Sequence, residues 1–190
     1  MRDPGLYLKS FGATQKVPGS ADMFVLINED QSILKFLWEF GDHFDGRRKD
    51  IHDPHRADLD FTLDNVVAVG AGHGHTDHIG FFPFLPQNGY NGRYYGHKAT
   101  GDILKVELED YLSRERYMIN KYNRTIRNKT DENGDSIPLM QSQFAKEHIR
   151  KIMNHYHGML YGVPTILDPK TRNIQLTLQD AGHIIGSAMA

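Results

Sequence analysis

Residues 66–78 read VVAVGAGHGHTDH, and this stretch decides the fold. Its first four residues form a continuous apolar run, which is typical of a strand that is covered on both faces. Four side chains that can bind a metal follow within six positions, namely His73, His75, Asp77 and His78. Because unpaired polar groups near a core cost free energy, the cluster predicts a metal-binding loop at the carboxyl end of a buried strand.

The spacing inside this loop predicts two half-sites. Alternate side chains of an extended segment point the same way, so His73 and His75 can converge on one ion. Asp77 and His78 then face elsewhere and can serve a second ion. Two metals about 3.5 to 4 Å apart activate a water and stabilise both oxygens of a displacement at phosphorus, so the pattern favours hydrolysis.

A further candidate ligand, His183, lies near the end of the chain within residues 180–188, which read DAGHIIGSA. Gly182, Gly186 and Ser187 around it indicate a tight turn rather than a core helix. Catalytic zinc usually has three protein ligands and a water, and neutral imidazole is its commonest nitrogen donor. We therefore expect this ring to fold back beside the pair in the central loop.

The two motifs together resemble the metallo-β-lactamase fold hydrolases, whose signature is His-x-His-x-Asp-His after a strand. Residues 73–78 match that signature fully, and residues 180–188 resemble the third motif of the β-CASP branch, the nucleases that process RNA or DNA. Residues 19–20 and 92–100 also run parallel to that branch. The resemblance implies an α/β (α+β) fold over residues 1–190, the amino-terminal half of an αββα sandwich with a mixed sheet and flanking helices.

The same resemblance implies a role for each ligand. His73, His75 and His183 would bind the first metal, and Asp77 with His78 would bind the second and take part in catalysis. The expected cofactor is a divalent metal, with zinc first and manganese as the alternative, and two ions in the full-length protein.

Three departures from the family stand out. Glu39 lies where the family has an aspartate beside its ligands, and we expect it to take over that supporting role. Gly72 lies where a hydroxyl residue is common. The chain stops at Ala190, before the family's bridging aspartate, its β-CASP insert and its last histidine. We therefore expect the amino-terminal portion of an incomplete domain, weak or inactive in catalysis by itself.

The function implied by the resemblance is metal-dependent phosphodiester hydrolysis, with RNA as the first substrate and DNA as the alternative. Two other classes stay open. One is a small-molecule hydrolase that acts on a thioester or a lactone with the same first site. The other is a non-catalytic scaffold related to the nucleases, which the retained metal ligands disfavour.

Composition limits which bonds, partners and cellular location are expected for the protein. A hydrophobic fraction of 39% is enough for a core, and the absence of cysteine excludes disulfides and thiolate ligands. A net charge of -2 gives no overall sign of nucleic-acid binding. The start lacks the apolar core of a secretory signal and no segment is long enough to span a bilayer, so we predict a cytoplasmic protein with no membrane partner. A homo-oligomer is left open.

Hydrophobic patterning predicts opening strands at residues 6–11, 23–28 and 33–40, joined as a meander. Residues 41–64 are mainly charged and predict an exposed loop or a short helix.

Further along the chain, Thr100 is expected to cap a helix with an apolar stripe, and residues 143–156 predict a second helix. Residues 128–136 are polar and predict a mobile loop. A group of basic residues near the end of the first helix is typical of a solvated face, with an RNA-facing surface as the alternative: Arg114, Arg116, Lys121, Arg124, Arg127 and Lys129.

Overall fold

The computed structural model describes residues 3–11, 19–42, 61–142, 145–167 and 174–190. Its main layer is a six-stranded mixed sheet in the order β1-β2-β3-β4-β5-β6. The first three strands pair antiparallel, and the pairs from β3 to β6 are parallel. The strands are β1 (Gly5–Ser10), β2 (Asp22–Ile27), β3 (Ile33–Trp38), β4 (Val66–Ala71), β5 (Arg93–His97) and β6 (Tyr156–Met159). This mixed sheet with its flanking helices confirms the predicted fold class.

The predicted meander of β1, β2 and β3 is present, but β3 ends at Trp38 rather than at residue 40. The reason lies in the backbone of Glu39, which adopts a left-handed conformation with φ of 63°. An extended strand cannot continue through such a residue. The chain therefore turns at Glu39, immediately after the carboxyl end of β3.

β4 is the central strand that the apolar run predicts. Ala68, Val69 and Ala71 have no exposed surface, because cores lie on both faces of the sheet. Gly70 has no room for a side chain, since a Cβ there would stand 2.3 Å from Cε3 of Trp38 on the neighbouring β3. After the carboxyl end of β4 the chain stays buried through Gly74 and reaches the surface at His75.

In the described part of the chain four helices accompany the sheet: α1 (Thr76–Ile79), α2 (Phe84–Gln87), α3 (Lys98–Ile126) and α4 (Lys146–Asn154). The larger core packs the apolar stripe of α3 and the inner face of α4 against the sheet, through Leu104, Leu108, Leu112, Ile149 and Ile152. Within the described ranges, no helix is both long and apolar enough to cross a membrane.

The start of α3 differs from the prediction. The capping residue is His97, whose ring Nδ1 accepts a hydrogen bond from the backbone nitrogen of Ala99 at 3.3 Å. The expected cap at Thr100 is therefore wrong, because an imidazole three residues earlier already supplies the acceptor. Thr100 is instead fully buried in the first turn of the helix, where its hydroxyl donates to Gly186.

One other prediction needs correction. The second helix is shorter than predicted: α4 ends at Asn154 and Tyr156 already belongs to β6. Residues 128–136 contain a turn in which the Asp131 carboxylate accepts from the backbone nitrogens of Asn133 and Asp135, each at 2.9 Å, and the mobility of this loop stays a prediction.

Most of the predicted loop at residues 41–64 lies outside the described residues, which resume at position 61. Its first two residues, Gly41 and Asp42, are buried rather than exposed. They pack against α1, since the backbone nitrogen of Asp42 donates to the carbonyl oxygen of Thr76 at 2.9 Å.

The rest of the chain forms two small two-stranded sheets. β7 (Thr165–Ile166) pairs with β8 (Gln175–Leu176), and β9 (Gln179–Asp180) pairs with β10 (Ala188–Met189). The turn between β9 and β10 carries His183, and a backbone hydrogen bond from Ala188 to Gly72 places this hairpin beside the main sheet.

Candidate metal centre

Three segments meet at one edge of the main sheet. β3 and β4 are parallel, so Glu39 after β3 and His73 after β4 lie at the same edge. The turn between β9 and β10 is joined to this edge by a backbone hydrogen bond of 2.7 Å from the nitrogen of Ala188 to the oxygen of Gly72. Through that contact His183 comes beside residues that are far away in sequence.

The three histidines predicted for the first metal lie together. Their potential ligand atoms are all within 4.8 Å of one another. Ring centroids are 4.7 Å apart for His73 and His75, 5.0 Å for His73 and His183, and 5.2 Å for His75 and His183. Nε2 of His73 lies 3.2 Å from Nδ1 of His75, close to the edge of about 3.3 Å of a zinc tetrahedron with Zn–N bonds of about 2.0 to 2.1 Å. This donor set fits a divalent ion.

The three rings differ in exposure. His73 is 8% exposed, whereas His75 and His183 are exposed to solvent. One candidate ligand thus faces the protein and two face water. Catalytic zinc sites keep one coordination position for water, so a site reached by solvent is compatible with that class.

The electrostatic setting of His73 favours the form that binds metal. Burial, with a smaller contribution from the neighbouring rings of His78 and His75, lowers the pKa of His73 to about 4 against an opposing influence of Glu39. Desolvation and like charge both disfavour an imidazolium. His73 is therefore neutral at pH 7, which is the protonation state that a metal ligand needs.

The second half-site adjoins the first through His73, whose ring centroid lies 3.9 Å from that of His78. His78 and Asp77 are both on α1, and Nε2 of His78 is 3.6 Å from Oδ2 of Asp77. The other ring nitrogen, Nδ1, lies 2.8 Å from Oε2 of Glu39. When the proton is on Nδ1, Nε2 is unprotonated and faces Asp77, and its electron pair is free to bind a metal ion.

The pKa of His78 is shifted in the opposite direction to that of His73. Burial acts to lower it, but the hydrogen bond and charge of Glu39 and the charge of Asp77 outweigh the burial and raise it. Glu39 itself is buried, with 6% exposure. The supporting position expected for Glu39 therefore agrees with its contact to a candidate ligand.

The turn that carries His183 is shaped by glycines and by one serine. Gly182 and Gly186 have φ of 65° and 80°, values that residues with a side chain rarely adopt. Directly after Gly186, the hydroxyl of Ser187 accepts from the backbone nitrogens of His183 at 3.0 Å and Ile184 at 3.2 Å. These bonds fix the backbone of His183.

Two residues from elsewhere in the chain hold this turn, and neither was predicted to do so. The hydroxyl of Thr100 donates to the carbonyl oxygen of Gly186 at 2.6 Å, and that of Tyr161 donates to the carbonyl oxygen of Ser187 at 2.8 Å. The ring of Tyr161 also stacks on His97, with centroids 4.2 Å apart. These contacts join distant segments, so no local sequence signal could have revealed them.

Comparisons with known proteins agree with a nucleic-acid-processing character. No protein-family model matches the chain. The chain is 36% identical over 131 residues to the transcription termination factor FttA of Methanothermobacter thermautotrophicus, and the alignment covers 69% of this chain and 17% of that protein. It is 31% identical over 137 residues to FttA of Methanococcus maripaludis, over 72% of this chain and 18% of that protein. A ribonuclease of Thermus thermophilus is 26% identical over 178 residues, which are 94% of this chain and 33% of the ribonuclease.

These relatives are much longer than the stretch they share with this chain. The aligned part amounts to less than a fifth of each FttA protein above and to a third of the ribonuclease. The chain therefore has homologues named for transcription termination and for RNA cleavage, and it corresponds to a portion of each.

Proposed function

We propose that this chain carries the metal centre of a metal-dependent phosphodiester hydrolase of the β-CASP branch, with RNA as its substrate. The observation that carries the proposal is the convergence of His73, His75 and His183 at one edge of the sheet, with Asp77 and His78 beside them. The homologous ribonuclease and the FttA proteins support RNA as the substrate. DNA is the alternative substrate within the same chemistry.

Zinc is the proposed metal, because a set of three imidazoles suits it, and manganese is the alternative. When bound, such ions supply a water that is acidic near neutral pH and offset the charge that develops on the phosphoryl oxygens. No serine or cysteine nucleophile is then required.

Each side chain has a defined task in this proposal. His73 stays neutral because it is buried, and it offers its nitrogen next to that of His75. Glu39 holds the proton of His78 on Nδ1, so Nε2 points toward Asp77. Asp77 lies partly exposed beside that nitrogen and can accept a proton as well as a metal ion.

The proposal concerns the whole protein, of which residues 1–190 would form the amino-terminal portion of the hydrolase domain. Asp77 and His78 offer fewer than the three protein ligands usual for a catalytic zinc. We therefore expect the 190 residues alone to bind one ion firmly and to hydrolyse RNA weakly or not at all.

Metal analysis tests the centre. After dialysis against zinc and then against buffer, the wild-type chain should retain about one zinc ion, whereas His73→Ala and His183→Ala should lose most of it. His157→Ala is the matched control, because that histidine is exposed and stacks on Tyr95 away from the site. Unchanged zinc content in both site variants would contradict the proposal.

A second candidate function is transcription termination, which the identity of 36% to an FttA protein favours. Both candidates involve RNA, but they differ in whether bond cleavage is needed. Cleavage of end-labelled RNA and release of transcripts from a stalled polymerase should be measured on the full-length protein with and without His73→Ala. Loss of cleavage with transcript release retained would favour termination without hydrolysis.

A further inference from the structure

Glu39 adopts a backbone conformation that residues other than glycine rarely take. Its φ is 63°, its side chain is 6% exposed, and its backbone nitrogen donates to the oxygen of Gly70 at 2.8 Å. A left-handed conformation persists at such a residue only where the surroundings hold it. The carboxylate therefore has a fixed place in the structure, and its neighbours define that place.

One of its oxygens fills the space beside Gly72. A Cβ at Gly72 would stand 2.3 Å from Oε1 of Glu39 and 3.3 Å from the carbonyl oxygen of Ala188. Contacts below 3.0 Å essentially never occur for a real Cβ. Gly72 is not among the glycines with positive φ, so its backbone alone would accept other residues. A side chain at 72 is therefore opposed by space and not by conformation, and the Glu39 carboxylate would have to shift to admit it.

The other oxygen of Glu39 contacts a candidate ligand. Oε2 lies 2.8 Å from Nδ1 of His78, while Gly72 immediately precedes His73. Gly72 also accepts the backbone hydrogen bond from Ala188 that attaches the turn of His183. The carboxylate thus lies between the backbone that positions one half-site and the ring that belongs to the other.

We propose that Glu39 and Gly72 form a size-matched positioning pair, in which the long carboxylate reaches His78 only because residue 72 lacks a side chain. Adding a methyl group at 72 displaces the carboxylate or moves the backbone before His73. Shortening Glu39 to aspartate removes one methylene and leaves a gap at the same place. The two changes made together conserve volume, and such exchanges are tolerated better than either alone. The part of this proposal that concerns metal affinity rests on the proposed metal centre.

A double-mutant cycle on the metal-free chain tests the size match. Gly72→Ala should lower the melting temperature by about 5 to 10 °C, since overpacking next to a buried carboxylate is costly in a domain of this size. Glu39→Asp should lower it less, and the combined variant should be more stable than Gly72→Ala alone. Glu29→Asp is the matched control, because Glu29 is exposed in the turn between β2 and β3.

Zinc titration of the same variants tests the positioning role. Gly72→Ala should weaken zinc binding about 10- to 100-fold, the usual result of disturbing a group that orients metal ligands. The combined variant should recover most of that loss, which a general loss of stability would not predict. If Gly72→Ala does not fold but the combined variant does, the pair is supported.

Additive losses in both melting temperature and zinc affinity would overturn the proposal, as would a combined variant that fails to fold while Glu39→Asp folds. Failure of the wild-type chain to bind zinc would instead count against the proposed metal centre. The thermal cycle would still decide the size match, so the two failures can be told apart.

Discussion

The loop that carries His73 and the turn that carries His183 are held in place in different ways. His73 lies two residues after the buried strand β4 and is itself 8% exposed. His183 is exposed, and its turn is held by a hydrogen bond from its backbone nitrogen to Ser187 and by hydrogen bonds that Thr100 and Tyr161 donate. One half of the candidate site is therefore positioned by close packing and the other by directional polar contacts.

This difference has an energetic consequence. Packed backbone cannot move without disturbing the core, so substitutions that disturb the loop of His73 should reduce the stability of the whole domain. A surface turn can open locally at a lower free energy than global unfolding. Substitutions that disturb the turn of His183 should therefore reduce metal affinity more than they reduce global stability.

The largest effect is expected for Gly41→Ala, which tests the packed region. A Cβ at Gly41 would stand 1.6 Å from the carbonyl oxygen of Asp77 and 2.7 Å from the backbone nitrogen of His78. Since both neighbours are backbone atoms, we expect a loss of about 3 kcal/mol or more in unfolding free energy, measured by urea denaturation. Gly134→Ala is the control, because no atom lies within 4 Å of its Cβ and only φ strain of about 1 to 2 kcal/mol applies. Equal losses in the two variants would remove the packing argument.

Gly186→Ala tests the turn and should have an intermediate effect. Its Cβ would stand 2.7 Å from the backbone nitrogen of Thr100, at a residue whose φ is 80°. We expect a loss of about 1 to 3 kcal/mol in unfolding free energy together with weaker zinc binding. Gly182→Ala shares the positive φ but meets nothing within 4 Å, so it isolates backbone strain from the clash. Zinc affinity equal in both variants would show that the contact with α3 does not position His183.

Acidification distinguishes the buried histidine from the exposed one. The pKa of His73 is about 4 in the folded chain, below its usual value of 6.5. The unfolded chain therefore binds a proton on His73 before the folded chain does, and stability falls as the pH decreases from about 6.5 to about 4. His78, with its raised pKa, acts in the opposite direction, because its contribution is lost as the pH rises through its folded pKa.

Melting temperatures of the metal-free chain between pH 4 and pH 7 measure this effect. The wild-type chain should lose stability toward pH 4 more steeply than His73→Asn, which cannot gain the proton. Parallel curves for the wild type and His73→Asn would contradict the assignment of the slope to His73.

The smallest effect is expected for Tyr161→Phe. This change removes the hydroxyl that donates to Ser187 and keeps the ring that stacks on His97. One hydrogen bond contributes about 0.5 to 1.5 kcal/mol, so unfolding free energy should fall by no more than that. Zinc binding should weaken by less than it does in Gly186→Ala. Tyr117→Phe, which changes an exposed tyrosine on α3, provides the baseline.

The sequence predicted those parts of the site whose residues are neighbours along the chain. An apolar run followed by four ligand-capable side chains places the loop of His73 at the end of a central strand, and the structure has that arrangement. The fold class was implied by the resemblance of these motifs to the metallo-β-lactamase fold hydrolases. Such predictions succeed because strand burial and alternation depend on local pattern.

The remaining parts depend on contacts between distant segments. Thr100 has the chemistry of a helix cap, but the preceding strand brings His97 into that position and leaves the threonine hydroxyl for Gly186. Similarly, the end of β3 at Glu39 follows from a backbone conformation that its side-chain type does not suggest. The basic side chains near the end of α3 are exposed, and a role for them in binding RNA stays a prediction.

The hydrogen bond between Ala188 and Gly72 has a consequence for the order of folding. His73 and His183 are 110 positions apart (183 − 73), so a long loop must close before their rings can meet. The three imidazoles are consequently brought together only when the β9–β10 hairpin docks on the sheet. A cation bound there would link the two ends of that loop and stabilise the folded chain. Removing the cation with a chelator would lower the stability, by an amount that grows with the free-ion concentration present before chelation.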